Sequence, residues 1–185
     1  MPAAATPAPA DPVVVGVALP VPEPWGGHVQ RMRMSYGEGR AEHIPTHITL
    51  LPPTEVSART AEALRAHLGE VAGEHPPFEV ILRGTGTFRP VSDVVFIQVA
   101  RGVSSCEQLE RHIRSGPLER PLAFPYHPHV TLAHDLPGQV LDRAFADLAA
   151  FSCSFTASSF RLYAHDGDGV WGQVEDYDLA GPART

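Results

Sequence analysis

The chain has 185 residues, 43% of them hydrophobic, which is enough for one packed domain or two small lobes and argues against wholesale disorder. The formal net charge is −7 and the sequence contains no lysine, so the chain lacks the basic surface that binding to extended nucleic acid requires. No apolar segment is long enough to cross a bilayer, and two cysteines form neither a disulfide framework nor a zinc motif. We therefore expect a cytoplasmic protein with both thiols reduced.

The first half of the chain begins with a segment unlike the rest. Residues 1–12 are rich in alanine and proline and show no periodicity, so we predict a disordered tail and a folded domain at residues 13–185. The patterns that follow predict, in order, a strand at 13–18, a helix at 23–36, a strand at 47–51, a helix capped by Ser57 and ended near Gly73, and strands at 78–83 and 94–99.

The second half repeats this alternation of helices and strands. The patterns predict a helix capped by Ser104 or Ser105, a strand at 129–133, a helix at 140–151 with Phe145 on its apolar face, a long strand at 151–163, and a final strand at 170–179. Gly167 and Gly169 are typical of a turn, so we expect the last two strands to form a hairpin.

Each half contains one His-x-Thr strand that is followed directly by a helix. In the segments IPTHITLLPP and YHPHVTLAHD, a proline lies shortly before His47-Ile48-Thr49 and before His129-Val130-Thr131. Ten histidines and ten threonines produce about 0.5 His-x-Thr triplets by chance, so the bare motif carries little weight. The duplicated context makes a purely structural interpretation less favourable and indicates a paired site.

The strand geometry explains why such a pair suits phosphodiester chemistry. Residues i and i+2 of a strand share a face, about 6.6 Å apart, so each histidine projects beside its threonine while the aliphatic residues between and after them face the core. In-line displacement at phosphorus gains from a base on one side and an acid on the other, and imidazole serves either role near neutral pH. The threonine hydroxyls of Thr49 and Thr131 donate to the phosphate oxygens, and this chemistry requires no metal.

These motifs resemble those of the two-histidine phosphoesterase superfamily, in particular its bacterial 2′,5′ RNA ligase-like and cyclic phosphodiesterase branch. HITL at 47–50 and HVTL at 129–132 match its two His-x-Thr/Ser-x motifs, 82 positions apart, and FRPVSDVVFIQV at 88–99 resembles the strand pair between them. The resemblance covers about residues 12–180. It implies an α+β fold of two lobes related by a pseudo-two-fold, each an antiparallel sheet with helices outside, and a cleft between them.

The resemblance also implies a reaction: opening of a 2′,3′-cyclic nucleotide phosphate or a related 2′,5′-linked phosphodiester, or joining of RNA ends in the reverse sense. His47 and His129 are then the acid and the base, in an order that the sequence leaves open. No cofactor is implied. The acidic balance favours a small cyclic nucleotide or an RNA 3′ end over a long RNA, and the internal duplication favours a monomer.

Three further residues are candidates for substrate binding. Arg89 has the chemistry to reach a phosphate or a base, Phe88 to stack on a nucleobase, and Tyr126 to line the cleft just before the second motif. Each also has a plain interpretation, as a surface arginine, a core ring and a loop residue.

Two other classes of function remain open. One is a catalytically idle module that binds nucleotides or RNA ends in the same cleft. The other is a metallohydrolase that uses His127, His129 and His134, although neither a His-Glu-x-x-His motif nor a cysteine pair supports it.

Overall fold

The computed structural model describes residues 12–118, 122–165 and 171–182, which form an α+β fold with two four-stranded antiparallel sheets. The strands are β1 (Val13–Pro20), β2 (His47–Val56), β3 (Phe78–Thr87), β4 (Val94–Arg101), β5 (His129–His134), β6 (Ser152–Ala157), β7 (Ser159–His165) and β8 (Gly172–Asp178). The helices are α1 (Trp25–Ser35), α2 (Ala58–Glu74), α3 (Val103–Arg114) and α4 (Gly138–Asp147), with 3-10 turns at Gly39–Glu42 and Gly116–Leu118. The predicted tail, apart from Pro12, and the predicted turn at Gly167 and Gly169 lie outside the described residues.

The two sheets have matching strand orders, which confirms the predicted pseudo-two-fold arrangement. The first sheet has the order β2-β1-β7-β8 and the second has the order β5-β4-β3-β6, so both His-x-Thr strands occupy an edge. α2 and α3 pack against strands of the first sheet, and α4 packs against the second.

The lobes are not simply the two halves of the chain. The second sheet combines β3 and β4, from the first half, with β5 and β6, from the second half, while β7 and β8, also from the second half, extend the first sheet from β1. Each sheet therefore contains strands from both halves, and neither sheet is complete without the other half of the chain.

The prediction of one long strand at 151–163 is wrong. Ser158 separates two strands: β6 pairs with β3 in the second sheet, and β7 pairs with β1 in the first. The residues on both sides of Ser158 have the composition of strands, so the sequence pattern shows no interruption there. The interruption arises because β6 and β7 pair with different strands.

The predicted helix ends need two corrections. Neither Ser104 nor Ser105 caps α3, because the N-cap is Gly102. Gly102 has a φ of +94°, and a Cβ added to it would lie 2.8 Å from the Glu79 carbonyl oxygen, so both the backbone conformation and the space favour glycine. The helix predicted at 140–151 runs from Gly138 to Asp147, and Phe145, predicted to face the core, is 38% exposed.

Other expectations about the first half are confirmed or extended. Ser57 caps α2, because its side chain accepts a hydrogen bond of 3.1 Å from the Thr60 backbone N–H. β2 continues past Pro52 and Pro53 instead of ending before them, which an edge strand tolerates because its outer backbone groups need no partner. No helix in the described ranges is long and apolar enough to span a membrane.

Candidate active site

The two His-x-Thr motifs alternate as strand geometry requires. In β2, Ile48 and Leu50 are fully buried, while His47 and Thr49 are half-buried on the opposite face. The same alternation anchors β5, where Val130 and Leu132 are buried and the histidine and threonine are half-buried. The aliphatic residues therefore hold each strand while its polar residues reach a shared surface.

The fold brings the two motifs together. β2 and β5 are in contact although they belong to different sheets. Tyr126, in the segment that leads into β5, donates a hydrogen bond of 2.9 Å to the backbone carbonyl of Thr49. This hydrogen bond connects the segment before β5 to β2, so Tyr126 links the two lobes beside the two motifs.

Both imidazoles are oriented in the same way. Nδ1 of His47 lies 2.6 Å from the carbonyl oxygen of Pro45, and Nδ1 of His129 lies 2.7 Å from the carbonyl oxygen of His127. A carbonyl oxygen only accepts hydrogen bonds, so Nδ1 carries the proton in each ring and Nε2 is left for proton transfer. Nε2 of His47 lies 3.2 Å from the Thr49 hydroxyl.

The surroundings lower the pKa of both histidines below the ordinary value. For His47 the main cause is burial, with further lowering by the positive charges of Arg33 and His129, against an opposing effect of the Pro45 carbonyl. For His129 burial again dominates and His127 adds to it, opposed by the His127 carbonyl. Because a charge on His129 disfavours a charge on His47, the pair favours holding no more than one proton.

Aromatic rings surround the second histidine. The ring centroids of Phe88 and Phe96 lie 5.0 Å and 5.1 Å from that of His129, and the His127 ring is 6.2 Å away. The sequence singled out Phe88 but missed Phe96. Its register opposite Thr131, which places it on the same face, depends on strand pairing that the sequence does not reveal.

Arg89 is engaged away from the two histidines. One guanidinium nitrogen lies 2.8 Å from the Asp142 carboxylate of α4, and Nε lies 3.4 Å from the Thr87 hydroxyl. Its use as a phosphate ligand stays a prediction.

A second group that the sequence did not reveal supports the first histidine from α1. Arg33, which is buried, pairs with Glu38 at 3.5 Å and donates to the Ile44 carbonyl at 3.0 Å. Gln30 also donates to the Ile44 carbonyl, at 3.2 Å. These bonds hold the loop that ends in Pro45, whose carbonyl orients His47.

The histidines between 127 and 134 are arranged differently from a metal centre. His129 faces the aromatic rings, and Nε2 of His134 lies 3.3 Å from the Asp135 carboxylate at the end of β5. Among the described residues, no group of three or more histidine, cysteine, aspartate or glutamate side chains is placed to hold a metal ion.

Comparison with known proteins identifies the class of this fold and site. The family model of the 2′-5′ RNA ligase superfamily matches residues 20–169, and the chain therefore belongs to that superfamily of two-histidine phosphoesterases. This confirms the resemblance seen in the two motifs.

Individual relatives agree with this assignment. A protein of Geobacillus kaustophilus (strain HTA426), named "Putative phosphoesterase", is 27% identical over 158 residues, which are 83% of this chain and 91% of the relative. The fold is similar to that of E. coli LigT complexed with 3′-AMP, with a TM-score of 0.65, 23% identity, and coverage of 91% of this chain and 99% of LigT. TT0787 of Thermus thermophilus matches with a TM-score of 0.62 and 20% identity, over 92% of this chain and 100% of that one.

Proposed function

We propose that this phosphoesterase opens 2′,3′-cyclic phosphates, on a small nucleotide or at an RNA 3′ end, by acid–base catalysis between His47 and His129. The observation that carries the proposal is the matched pair of Nδ1–carbonyl bonds, which leaves both Nε2 atoms for proton transfer from two motifs in contact. The E. coli LigT crystals with 3′-AMP make a nucleotide a reasonable ligand class for this chain as well.

The reaction needs one proton on the pair. The neutral imidazole takes a proton from water through Nε2 while the water oxygen attacks phosphorus. The protonated imidazole gives its proton to the departing ribose oxygen, the phosphorus–oxygen bond to the ribose breaks, and a phosphomonoester results. The two histidines have then exchanged roles, and proton exchange with solvent restores them. The effect of a charge on His129 on His47 disfavours the doubly protonated pair.

The threonines have a separate task in this proposal. Thr49 and Thr131 share a face with their histidines, which supports a role for their hydroxyls as donors to the non-bridging phosphate oxygens as charge gathers there. For this, the Thr49 hydroxyl exchanges its contact with Nε2 of His47 for the phosphate. With the 5′-hydroxyl of a second RNA in the place of water, the reverse direction joins RNA ends through a 2′,5′ linkage. One chain supplies both motifs, so we propose a monomer as the active unit.

Turnover of adenosine 2′,3′-cyclic phosphate in excess chelator tests this proposal. We expect hydrolysis by the wild type, and a loss of about a hundredfold to ten-thousandfold in kcat for His47→Ala and for His129→Ala. His43→Ala, at an exposed histidine just before the first motif, is the matched control and should retain activity. Circular dichroism checks that each variant folds.

The other functional classes give different results in the same assay. Binding of the nucleotide without turnover by the wild type contradicts catalysis and favours a binding module. Loss of turnover in chelator, restored by a divalent metal, contradicts the metal-free proton transfer and favours a metallohydrolase. Product analysis by chromatography decides whether the 2′ or the 3′ oxygen departs.

A further inference from the structure

A hollow lies beside the first motif. Its volume is about 170 Å³, and His47 and Thr49 form part of its wall. Drug-sized ligands occupy pockets of roughly 300–1,000 Å³, so this hollow suits one ring system and not a whole nucleotide. Because His47 lines the hollow, a ring bound there would leave the rest of its ligand beside that histidine.

The hollow exists because a central strand carries small residues. On β1, Gly16 pairs with Tyr163 of β7 and Ala18 pairs with Thr49 of β2. Directly opposed residues of antiparallel strands share a face, so Ala18 lies on the face that presents the site. The missing side chain at Gly16 gives room for the Trp171 ring, and the methyl group of Ala18 leaves the floor low beside that ring.

The walls of the hollow are aromatic and apolar. Trp171 and Tyr163 line it, together with Ile44 and Pro45. The six-membered ring of Trp171 lies 3.4 Å from where a Cβ on Gly16 would be, and its centroid is 4.5 Å from that of His165 with the rings nearly perpendicular. The indole is therefore supported by β1 and β7, and it offers surface for a flat ring to stack on.

The equivalent place in the second lobe is filled. The pairing of Ala18 with Thr49 corresponds to the pairing of Phe96 with Thr131. Phe96 is buried, its centroid is 4.4 Å from that of Phe88, and it lies over Gly86, where an added Cβ would come within 2.6 Å of the ring. The duplicated fold thus has one empty and one filled position, and this breaks the symmetry of the site.

We propose that the hollow over Ala18, beside Trp171, binds the nucleobase of the substrate, so that the nucleoside lies on the first lobe and the phosphate at the histidines. The inference rests on the proposed phosphodiesterase function. Recognition by stacking and apolar contact tolerates every base and rewards the larger ring, so purines are preferred over pyrimidines, and both over a substrate without a base.

Comparison of kcat/KM for three cyclic phosphates tests the proposal: adenosine 2′,3′-cyclic phosphate, cytidine 2′,3′-cyclic phosphate, and 1,4-anhydroribitol 2,3-cyclic phosphate, which keeps the sugar ring and lacks the base. In the wild type we expect kcat/KM to fall in that order. Trp171→Ala should reduce the ratio of kcat/KM for the adenosine substrate to kcat/KM for the base-free substrate about tenfold or more. Ala18→Val, which fills the floor, should reduce the same ratio. Trp25→Ala, at the other tryptophan, which packs on Phe151, is the matched control and should keep it.

A fluorescence titration tests the same contact without removing Trp171. In Trp25→Phe protein the only tryptophan is Trp171, and adenosine 3′-monophosphate should quench its emission, while inorganic phosphate should not. In Trp171→Phe protein the remaining tryptophan, Trp25, should be unaffected by either ligand.

The outcomes separate the two proposals. If all three substrates are hydrolysed equally well and Trp171→Ala leaves the ratio unchanged, the base pocket is overturned and the phosphodiesterase function stands. If none of them is hydrolysed, the phosphodiesterase function fails, and quenching of Trp171 by the nucleotide then supports the pocket while its absence overturns it.

Discussion

At the scale of single residues, the two catalytic candidates share their orientation and differ in their surroundings. Both imidazoles donate a hydrogen bond from Nδ1–H to the backbone carbonyl two residues earlier in the chain. His47 feels the charge of Arg33 on α1, whereas His129 lies among the rings of Phe88 and Phe96. The duplicated motif therefore gives the two imidazoles equal backbone support in unequal environments.

The lowered pKa values of the histidines predict an unusual pH dependence. Because kcat/KM reports the free enzyme, the form with one proton on the pair should be most populated below about pH 6.5, the ordinary histidine value, and kcat/KM should fall above it. A bound phosphate anion favours imidazolium, so the basic limb of kcat should lie at higher pH. Steady-state kinetics against pH checks both, and a basic limb of kcat/KM well above pH 6.5 contradicts the prediction.

The same shifts bear on stability. A histidine whose folded pKa is lowered binds protons more readily in the unfolded chain, so its effect is absent well above pH 6.5 and destabilises the fold as the pH falls below that value. His47 and His129 therefore lower the free energy of unfolding in the pH range in which the proposed mechanism needs one of them charged.

At the scale of elements, glycine has opposite effects in a strand and in a helix. Gly86 of β3 lies under the ring of Phe96, where a Cβ would approach within 2.6 Å, whereas a Cβ at Gly69, exposed in the middle of α2, would meet nothing within 4 Å. The strand glycine therefore permits the aromatic packing around the second histidine, and the helix glycine only costs conformational entropy.

A matched pair of alanine substitutions tests this contrast. We expect Gly86→Ala to lower the free energy of unfolding by about 1–3 kcal/mol, because the Phe96 ring is buried and must shift. Gly69→Ala should raise it by about 0.5–1 kcal/mol. Urea denaturation followed by circular dichroism measures both, and equal signs for the two variants would contradict the packing argument.

At the scale of the whole molecule, the exchange of strands between the halves makes the two lobes interdependent. β3 and β4 of the first half pair with β6 and β5 of the second, and β7 of the second half pairs with β1 of the first. Buried residues of both sheets also belong to one continuous hydrophobic cluster. Unfolding of one sheet removes strands that the other half of the chain contributes, so the cleft between the motifs depends on the entire fold.

This interdependence predicts a single cooperative unfolding transition. In Trp25→Phe protein, tryptophan emission reports Trp171, beside the first sheet, and far-ultraviolet circular dichroism reports both sheets and all helices. The two signals should have the same midpoint in guanidinium chloride, as two-state unfolding requires. Midpoints that differ clearly would show that the lobes unfold separately.

Much of this architecture could be predicted from local pattern alone. The alternation that buries Ile48 and Val130 is a property of adjacent residues, and the cap at Ser57 forms within one helical turn, so both were predictable. Local rules failed where a distant neighbour decides the outcome. Gly102 caps α3 because the Glu79 carbonyl is close, and Ser158 interrupts a continuous strand pattern because the residues on its two sides pair in different sheets.

The site divides in the same way. The sequence by itself determined which groups share a face, because a histidine and a threonine two positions apart on each strand follow from the motifs at His47 and His129. Only the tertiary structure decided their surroundings: Phe96 opposite Thr131, Arg33 near the first histidine, and a hollow at Ala18. The physical reason is that a side chain's face follows from its own strand, whereas its neighbours depend on which strands pair and in what register.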